Sequence, residues 1–343
     1  MTEDVAIVGA GAAGSGAAYA LRDAPVDVTV FEKSRGVCGR AATRRREGCR
    51  YDHGANYVKT DDERVTTLLT DELDADGLVD IEEPVWTFDA EGTIAEGRDA
   101  DERKLTYADG ITGLAKRLFD ETDATVHRET RVTEPVREDG RWRLYDADAT
   151  DLGAFDTLLL TPPAPQTADL LGNANWEHSV RRDIREAVAV VPYRTIVTAV
   201  LHYPFEVDWP YYALVNTDKE HDVGWVSREE CKDGHVPDGE SLLVVQMGGD
   251  WSVAHYDDPD AETTAAAADA VATLVDDDRL ADPDWTDTQH WRYALPEGGV
   301  DDAIEAATDH GLYFAGDWVA GESRVHAALR SGLETGEAIA DEV

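Results

Sequence analysis

The hydrophobic pattern of the chain begins with two short apolar runs separated by a segment of small residues. Residues 5–8 and 28–31 are apolar, which predicts two buried strands of a parallel sheet. Residues 12–21 between them are rich in alanine and suit a helix, and a Gly-x-Gly-x-x-Gly turn occupies residues 9–14. Strand, glycine turn, helix and strand in this order predict a βαβ unit that binds a dinucleotide.

Each glycine of this turn has a separate physical role. Gly9 permits the tight turn, Gly11 lets a pyrophosphate approach the backbone, and Gly14 lets the helix pack closely on the strand. The helix would begin at Ala12 and Ala13, whose backbone N–H groups have no partner inside the helix. These groups and the positive end of the helix dipole predict a phosphate site.

An acidic residue ends the second strand. Glu32 follows Gly14 by 18 residues and is placed to accept hydrogen bonds from a ribose diol. Its charge disfavours a 2′-phosphate, so NADP is a poor candidate, whereas FAD and NAD both remain. The alternative, a glycine-rich turn without a ligand, is disfavoured by the strands around it and by this acid.

Other apolar runs predict further strands. Residues 157–160 read as a buried parallel strand, which ends at the prolines that follow because proline cannot continue a ladder. Residues 312–315 predict a strand near the C-terminus, and residues 126–136 and 142–145 predict a pair joined by an Asp-Gly turn.

A second group of apolar runs lies in the aromatic-rich part of the chain. Residues 196–200, 223–226 and 242–246 alternate or run apolar, and residues 261–275 predict a helix. Short strands of this kind with a long helix predict a mixed sheet. The chain therefore has the pattern of an α/β protein with a Rossmann-type dinucleotide domain and a second, mixed-sheet α+β substrate domain.

Dinucleotide motifs near both chain ends make the first domain discontinuous. We expect it to comprise residues 1–60, 107–170 and 300–343. The substrate domain would then take residues 61–106 and 171–299, and the active site should lie at the junction.

The charge of the chain limits its partners. The 343 residues include 72 acidic and 31 basic ones, for a formal net charge of −41, and only six are lysines. Such a charge repels nucleic acid and anionic membranes, which excludes both as general partners. Acidic residues spread along the whole chain, together with few lysines, are typical of a halophilic protein. We therefore expect the fold to need molar salt to screen its self-repulsion.

The spacing of the cysteines and the length of the apolar runs limit the class of protein further. Cys38, Cys49 and Cys231 form no Cys-x-x-Cys pair, which argues against a disulfide framework, a zinc site and a dithiol centre, so no metal is predicted. No apolar run approaches ~18 residues, and the chain begins directly with its first strand. We therefore expect a cytoplasmic protein without a membrane span or signal peptide.

A basic run follows the ribose position. Residues 33–46 form the only dense basic segment, in which Arg40 could contact a pyrophosphate while Gly36 and Gly39 let the backbone approach it. A solvated charged loop is the alternative. The Asp-His-Gly group around His53 then predicts a sharp turn near the ligand, although an isolated histidine is more often structural.

Three blocks of the chain together resemble the N-terminal region of renalase-like flavoproteins, within the FAD-dependent amine oxidase superfamily. These blocks are residues 9–14, 32–44 and 52–57. The family usually has Gly-Gly-Arg where this chain has Cys38-Gly39-Arg40. The resemblance implies FAD contacts from residues in these blocks and one near the adenine: Lys33, Gly39, Arg40, His53, Gly54, Ala55, Asn56 and Val132.

The C-terminal segment resembles a second signature of these FAD proteins, a strand followed by Gly316-Asp317, a loop and a helix. It implies that Asp317 lies by the ribityl or pyrophosphate group. It also implies that the helix start, with Arg324, Val325 and Ala328, directs its positive end at the flavin N1/C2 carbonyl. An NAD-only dehydrogenase does not need this element, so FAD is favoured. No cysteine matches a known attachment position, so noncovalent FAD is expected.

The resemblance also implies a reaction. Renalase-like enzymes oxidise a small substrate, isomeric dihydronicotinamides, by hydride transfer to flavin N5, and oxygen reoxidises the flavin to give hydrogen peroxide. Trp291 and Arg292 match the strand end that faces the flavin, and Gln246 and Trp225 are weaker candidates on the substrate side.

Other functions remain open. Amine and polyamine oxidases of this fold generally place a lysine near flavin N5. No lysine follows Lys232, and the early Lys59 is expected to lie off the site, which counts against them. A carotenoid-type desaturase would need a long apolar tunnel that the sequence does not indicate. A non-catalytic flavin-binding protein is a further alternative, and the oligomeric state is left open.

Overall fold

The computed structural model describes residues 2–97 and 103–343. The strands of this part of the chain are β1 (Glu3–Val8), β2 (Val26–Phe31), β3 (Thr43–Arg46), β4 (Cys49–Asp52), β5 (Val58–Lys59), β6 (Leu78–Asp80), β7 (Val85–Phe88), β8 (Ile94–Ala95), β9 (Lys104–Tyr107), β10 (Thr125–His127), β11 (Val132–Glu138), β12 (Arg141–Asp146), β13 (Asp151–Phe155), β14 (Thr157–Leu160), β15 (Tyr193–Tyr203), β16 (Ala213–Asn216), β17 (Val223–Arg228), β18 (Ser241–Met247), β19 (Trp285–Pro296) and β20 (Leu312–Phe314).

The α-helices are α1 (Ala12–Ala20), α2 (Glu63–Thr67), α3 (Gly113–Asp120), α4 (Ala164–Asn173), α5 (Ser179–Ala189), α6 (Gly249–Ala254), α7 (Asp260–Val275), α8 (Asp317–Ala320) and α9 (Val325–Ala340). A π-helical segment, Leu68–Glu72, continues α2, and short 3-10 segments span Glu229–Cys231, Asp278–Ala281 and Asp302–His310. Among the helices of the described residues, none is long and apolar enough to cross a bilayer.

The first sheet has five parallel strands in the order β10-β2-β1-β14-β20. The predicted strands at residues 5–8, 28–31, 157–160 and 312–315 all belong to it, which confirms the Rossmann-type part of the predicted fold. Strands of a parallel sheet are covered on both faces and therefore read as continuous apolar runs. That is why these four segments could be recognised from the sequence.

Helices α1 and α9 pack closely against each other beside this sheet. A Cβ atom on Gly332 of α9 would lie 2.0 Å from the carbonyl oxygen of Ala13 in α1. A Cβ atom on Gly16 of α1 would lie 2.8 Å from the Leu329 side chain. Small residues at these positions let the N-terminal and C-terminal segments share one lobe.

The single strand predicted over residues 126–136 is wrong, because the structure has two. β10 ends at His127, and Glu129 has a φ of +56°, a left-handed conformation that interrupts extended backbone. The N–H of Thr130 then donates to the carbonyl oxygen of Glu32 at 2.9 Å. As a result β10 joins the first sheet, whereas β11 pairs with β12 in a separate three-stranded sheet with β13.

The second large sheet has seven strands in the order β19-β15-β18-β17-β16-β7-β8. Its neighbouring strands are antiparallel except β16 and β7, which are parallel, so the predicted mixed sheet is confirmed. The predicted strands at residues 196–200, 223–226 and 242–246 lie within β15, β17 and β18, and the helix predicted at 261–275 is α7. Apolar residues of α7 form one buried cluster with this sheet.

The two predicted domains share residues 61–106 in an unexpected way. β7 and β8 belong to the seven-stranded sheet, as the substrate-domain prediction requires. Val65, Leu69 and Leu105, however, pack in one apolar cluster with Leu114 and Leu329 of the dinucleotide lobe. The domain boundaries therefore stay a prediction, and residues 98–102 of this segment lie outside the described residues.

A buried cluster of charges links the two lobes. The Nζ atom of Lys232 lies 2.9 Å from Asp52 Oδ2 and 2.8 Å from Glu229 Oε1. The ring of His235 lies 3.0 Å from Glu229 Oε2 through Nδ1 and 3.0 Å from the Tyr107 carbonyl oxygen through Nε2. Burial alone would lower the pKa of Lys232, but the two carboxylates reverse this and raise it. The lysine is therefore held as an ammonium ion.

Candidate active site

A cavity of about 1790 Å³ lies between the five-stranded and seven-stranded sheets. It is larger than the ~300–1,000 Å³ of an ordinary ligand pocket, so it has room for a dinucleotide together with a substrate. Every residue predicted above to bind the cofactor lines this cavity except Gly14. Trp291 and Arg292, predicted to face the flavin, and the weaker substrate-side candidates Gln246 and Trp225 line it as well.

The glycine turn after β1 forms one end of the cavity. Gly9 has a φ of +104°, and a Cβ atom there would lie 2.4 Å from Thr161 Oγ1. At Gly11 a Cβ atom would meet no atom within 4 Å, because this position opens into the cavity. Helix α1 begins at Ala12 with no side-chain cap, so its first N–H groups are available for a phosphate.

The absence of Gly14 from the lining agrees with its predicted packing role. A Cβ atom at Gly14 would lie 1.9 Å from the carbonyl oxygen of Gly9 and 3.4 Å from Ile7 Cγ2. Hydrogen is therefore the only side chain that lets α1 approach β1 this closely.

Glu32 is held rigidly at the end of β2. Its Oε2 accepts a hydrogen bond from the N–H of Ala10 at 2.9 Å, and its Oε1 accepts one from the N–H of Ser34 at 2.8 Å. The neighbouring Lys33 donates to Gln166 Oε1 at 3.2 Å, and burial lowers the pKa of this lysine. These contacts orient a carboxylate on the cavity wall where a ribose diol is predicted.

Arg40 and Asp317 form an ion pair on the cavity wall. Arg40 Nη2 donates to Asp317 Oδ1 at 2.8 Å, and Arg40 Nη1 donates to the carbonyl oxygen of Ala294 at 2.9 Å. Burial alone would lower the pKa of Arg40, but Asp317 raises it. The pair therefore joins the basic loop, the end of β19 and the start of α8.

A second helix N-terminus opens onto the same cavity. Helix α9 has sixteen residues, and Arg324, its first flanking residue, makes no side-chain capping bond. Val325 and Ala328 of its first turn line the cavity. Both α1 and α9 therefore begin on the cavity without a side-chain cap. Positive dipole ends at two separated points fit FAD, which carries a pyrophosphate and a flavin carbonyl.

His53 and Trp291 form a stacked pair across the lobes. Their ring centres are 5.5 Å apart at an interplanar angle of 11°, and Trp291 Nε1 donates to the His53 carbonyl oxygen at 3.0 Å. Burial lowers the pKa of His53 to about 4. A Cβ atom on Gly54 would lie 2.0 Å from the Arg40 carbonyl oxygen, so the turn predicted here requires glycine. Gln246 Nε2 donates to the Gly54 carbonyl oxygen at 2.7 Å and holds this turn.

Protonation of His53 is expected to destabilise the protein at low pH. The unfolded histidine has a pKa near 6.5, against about 4 in the fold. Between these values the unfolded chain binds the extra proton, so stability that is present above pH 6.5 is lost as the pH falls towards 4. Denaturant unfolding at pH 7 and at pH 4.5 in the same molar salt measures this effect. Between these pH values the free energy of unfolding of the wild type should fall by about 2–3 kcal/mol more than that of His53→Gln.

The partly exposed His255 provides a matched control for this measurement. His255→Gln removes a histidine outside the cavity lining. Its free energy of unfolding should fall as much as that of the wild type between the two pH values. Equal losses in the wild type and in His53→Gln would contradict a neutral, buried His53.

Aromatic side chains surround the other end of the cavity. The rings of Tyr57 and Trp225 have centres 6.2 Å apart. The Arg292 guanidinium carbon lies 4.8 Å from the centre of the Tyr256 ring, a cation–π contact on the exposed side of β19. The predicted residues therefore meet at one cavity, with Arg292 towards its outer part and Trp291 against His53.

Comparison with known proteins identifies the family. Residues 82–340 match the family described as flavin containing amine oxidoreductase, and residues 7–72 match an NAD(P)-binding Rossmann-like domain. The chain belongs to the flavin-containing amine oxidoreductase family. It is an FAD-dependent oxidoreductase, which accounts for the dinucleotide half of the cavity.

Solved structures share the fold of this oxidoreductase along nearly the whole chain. A protein assigned as a protoporphyrinogen oxidase from Exiguobacterium sp. 255-15 superposes with a TM-score of 0.80 at 15% identity, covering 100% of both chains. Reduced UDP-galactopyranose mutase gives a TM-score of 0.78 at 9% identity, covering 100% of this chain and 95% of the other. Cyclohexylamine oxidase from Brevibacterium oxydans IH-35A gives a TM-score of 0.74 at 16% identity, covering 100% of this chain and 99% of the other. Similarity at such identity shows the fold alone, and one fold hosts different reactions.

The cavity of this flavin oxidoreductase is basic although the protein is strongly acidic. Among the described residues that line it, eleven are lysine or arginine and five are aspartate or glutamate. In the whole chain the corresponding numbers are 31 and 72. Outside the dinucleotide motifs, the charged lining residues are Lys59, Lys104, Arg131, Arg194, Lys219, Arg292, Asp169, Asp250 and Glu297. A concave basic surface focuses the electrostatic field and favours an anionic ligand.

None of the three lysines Lys59, Lys104 and Lys219 was predicted from the sequence to line the cavity. The prediction that Lys59 lies off the site is wrong, because Lys59 lines the cavity. Lys104 lines it too, although it is only 4% exposed and lies in a strand whose four residues are all buried. The signal that could have found them is scarcity, since four of the chain's six lysines line this one cavity.

Within the described part of the chain, two groups of side chains outside the cavity lining have the spacing of metal ligands. Asp52, Glu229 and His235 form one group, but the Lys232 ammonium already contacts both of its carboxylates. Cys49, His202 and Glu240 form the other, where His202 Nε2 lies 3.0 Å from Glu240 Oε2. The absence of a metal site stays a prediction.

Proposed function

We propose that this FAD-dependent oxidoreductase is renalase-like, oxidising a small dihydronicotinamide of the isomeric, misreduced type and passing the electrons to oxygen. The observation that carries the proposal is the character of the cavity beyond the dinucleotide motifs. Aromatic rings of Tyr57 and Trp225 line it, and its charge is basic. A flat ring attached to a phosphate fits such a cavity, whereas a cationic amine is repelled.

The reaction balances without a side-chain base. FAD, when bound, supplies the acceptor for two electrons and one proton, transferred together as hydride. Overall, one dihydronicotinamide, one O₂ and one proton give one nicotinamide cation and one hydrogen peroxide. The substrate gains aromaticity and releases no other proton. A neutral His53, with its pKa lowered by burial to about 4, is compatible with this chemistry.

The chain's own contribution is positioning. Trp291 donates a hydrogen bond to the His53 carbonyl oxygen, and Gln246 donates one to the Gly54 carbonyl oxygen. Both bonds run from the seven-stranded sheet to the turn that follows β4. In the proposal they hold the two lobes at the separation that a flat substrate needs beside the cofactor. The roles of Trp225 and Arg292 as substrate contacts belong to the same proposal.

We also propose that the FAD is noncovalent. Cys38 lines the cavity, but burial raises the pKa of its thiol to about 12, and burial raises the pKa of Cys49 to about 11. Both therefore stay protonated near neutral pH, and the thiolate is the nucleophilic form of cysteine.

Anaerobic mixing of the FAD-loaded protein with isomeric dihydronicotinamides tests the proposal. In molar salt we expect the visible flavin band to bleach within seconds, and air should restore it with one hydrogen peroxide formed per flavin. Gln246→Ala should bleach at least about tenfold more slowly, because the turn next to the cofactor loses its tie. Asn175→Ala, an exposed amide change away from the cavity lining, should bleach at the wild-type rate.

Absence of bleaching by every dihydronicotinamide isomer, with FAD bound, would reject this substrate class. Bleaching unaffected by alanine at Gln246, Trp225 and Trp291 in turn would reject the proposed site. No bleaching by any substrate class would favour the alternative of a non-catalytic flavin-binding protein.

An amine or polyamine oxidase is the second candidate, supported by the family and by the position of Lys59. Because Lys59 lines the cavity, the absence of lysines after Lys232 no longer counts against this function. The basic lining does count against it, since a protonated amine would enter against the field. Bleaching by cyclohexylamine or putrescine, and not by dihydronicotinamides, would establish it instead.

A further inference from the structure

A thiol, an imidazole and a carboxylate from three distant segments meet outside the flavin cavity. Cys49 begins β4, His202 lies near the end of β15, and Glu240 immediately precedes β18. One possible ligand atom from each residue lies within 4.8 Å of the other two, and His202 Nε2 is 3.0 Å from Glu240 Oε2. None of the three lines the cavity, so the flavin reaction does not account for their arrangement.

Packing holds the thiol and the imidazole in place. Cys49 is 1% exposed and His202 is 5% exposed. The ring of Trp285 stacks on the His202 ring, with centres 4.9 Å apart at an angle of 9°. Cys49 belongs to one buried apolar cluster with Trp285 and Leu242 of the seven-stranded sheet. The side chain of Glu240 is 35% exposed, which leaves a path from solvent to the group.

The second ring nitrogen of His202 also faces a carboxylate. His202 Nδ1 lies 3.4 Å from Asp284 Oδ2 and makes no hydrogen bond, and the backbone N–H of Asp284 donates to the His202 carbonyl oxygen at 2.8 Å. A histidine that binds a metal through one nitrogen typically directs the other N–H at a carboxylate. The alternative is a doubly protonated His202 paired with both carboxylates, which would bind no metal.

The ligand types indicate which ion fits. Thiolate, imidazole and carboxylate are the three kinds of side chain that bind Zn²⁺. A divalent cation balances one thiolate and one carboxylate, and its binding would displace the proton of the Cys49 thiol to solvent. Three protein ligands leave the fourth tetrahedral position to water.

We propose that Cys49, His202 and Glu240 bind one Zn²⁺ ion, with Asp284 orienting the imidazole, and that this ion fastens the β3–β4 hairpin to the seven-stranded sheet. The proposal opposes the expectation, drawn from cysteine spacing, that no metal binds. It does not rest on the identity of the flavin substrate. Since the site lies outside the cavity lining, the role of the ion is structural.

The first experiment measures Zn²⁺ affinity. Zn²⁺ is titrated by calorimetry into the FAD-loaded, tag-free protein after chelator treatment, in molar salt with excess Mg²⁺ to occupy acidic surface sites. The wild type should bind one ion per chain. Affinity should fall at least about tenfold in Glu240→Gln and at least about hundredfold in Cys49→Ser, because loss of an outer contact alone typically costs ~10–100-fold.

Matched controls accompany these variants. Cys231→Ser removes a thiol outside the group, and Glu220→Gln removes an exposed carboxylate elsewhere, so both should bind Zn²⁺ as the wild type does. Glu240→Gln carries the test if Cys49→Ser prevents folding, because its side chain is partly exposed. No binding by the wild type, or equal affinity in the wild type, Glu240→Gln and Cys49→Ser, would overturn the proposal.

The second experiment identifies the ligands with Co²⁺ in place of Zn²⁺. The wild type and Cys231→Ser should show the red absorption of four-coordinate Co²⁺, beyond the flavin band, and a near-ultraviolet band from thiolate to cobalt. The thiolate band should be lost in Cys49→Ser. A weak spectrum typical of six-coordinate Co²⁺, identical in all three proteins, would show an ion held only by surface carboxylates and would overturn the site.

The third experiment tests the structural role. An ion that binds only the folded chain raises its stability, so Zn²⁺ should raise the thermal midpoint of the wild type and of Cys231→Ser. The midpoint of Glu240→Gln should change much less at the same Zn²⁺ concentration. An equal rise in all three proteins would contradict a role for this site. The three readouts need no flavin substrate, so failure of the proposed reaction would leave them unaffected.

Discussion

Replacing the buried Lys232 by methionine is expected to lower the free energy of unfolding by about 3–5 kcal/mol. The ammonium group of Lys232 contacts the carboxylates of Asp52 and Glu229, and none of the three side chains is exposed. Methionine has a similar length but no charge, so it would leave two buried carboxylates near each other. Removing one member of a buried ion pair is costly because the remaining charge has no compensation.

The effect should also extend beyond the cluster itself. Asp52 accepts hydrogen bonds from Thr43 Oγ1 at 2.7 Å and from the Ile111 N–H at 3.0 Å. Asp52 immediately precedes His53, whose turn lies on the cofactor cavity. We therefore expect Lys232→Met to weaken FAD retention as well as stability.

Denaturant unfolding at fixed molar salt measures the first effect, and Lys116→Met is the control for loss of one lysine charge. Lys116 is half-exposed, and its loss should change stability by less than about 1 kcal/mol. Adding Glu229→Gln to Lys232→Met should recover part of the loss, since one uncompensated charge is removed. A loss below about 1 kcal/mol in Lys232→Met would show that the carboxylates are compensated in some other way.

The second large effect is expected from alanine at Gly14, which should destabilise the protein and abolish FAD retention. The added Cβ atom would lie 1.9 Å from the carbonyl oxygen of Gly9, a backbone atom that cannot rotate away. Helix α1 must then move from β1, at a cost of about 1–3 kcal/mol or more. The same movement displaces the first N–H groups of α1 from the phosphate position.

Alanine at Gly11 should separate these two consequences. No atom lies within 4 Å of its Cβ position, and Gly11 has a φ of −75°, which any residue can adopt. The FAD-free protein should therefore keep its stability within about 1 kcal/mol. FAD affinity should nevertheless fall at least about tenfold, because the methyl group enters the space into which the glycine opens.

Unfolding of the FAD-free proteins and FAD titration of each variant measure both quantities. Gly298→Ala is the control, because its Cβ atom would make only an ordinary contact, 3.5 Å from Pro192 Cδ, and it lies outside the cavity lining. If Gly11→Ala retained FAD like the wild type, the predicted approach of the pyrophosphate to this glycine would be wrong. Wild-type stability in Gly14→Ala would contradict the close packing of α1 on β1.

The Rossmann half could be predicted because its signals are local. Strand, glycine turn, helix, strand and Glu32 all lie within residues 5–32, and each glycine spacing reflects contacts inside that unit. Buried parallel strands show as continuous apolar runs, so residues 157–160 and 312–315 could be assigned as well. The break between β10 and β11 was missed because a single left-handed residue, Glu129, carries no strong sequence signal.

The substrate half of the site depends on contacts between distant segments. Lys59 and Lys104 meet only through the register of β5 and β9, and Lys232 reaches Asp52 across 180 positions of sequence. Residue type and local pattern do not specify such pairings, because many registers bury the same apolar residues.

By itself, then, the sequence determined the dinucleotide fold, the FAD signatures and the acidic surface, since each is encoded by residue type or by neighbours a few positions apart. Only the tertiary structure decided that the scarce lysines line one basic cavity, that His53 stacks on Trp291, and that a buried ion cluster links the lobes. The physical reason is that charge and burial at a site are sums over side chains brought together by long-range packing.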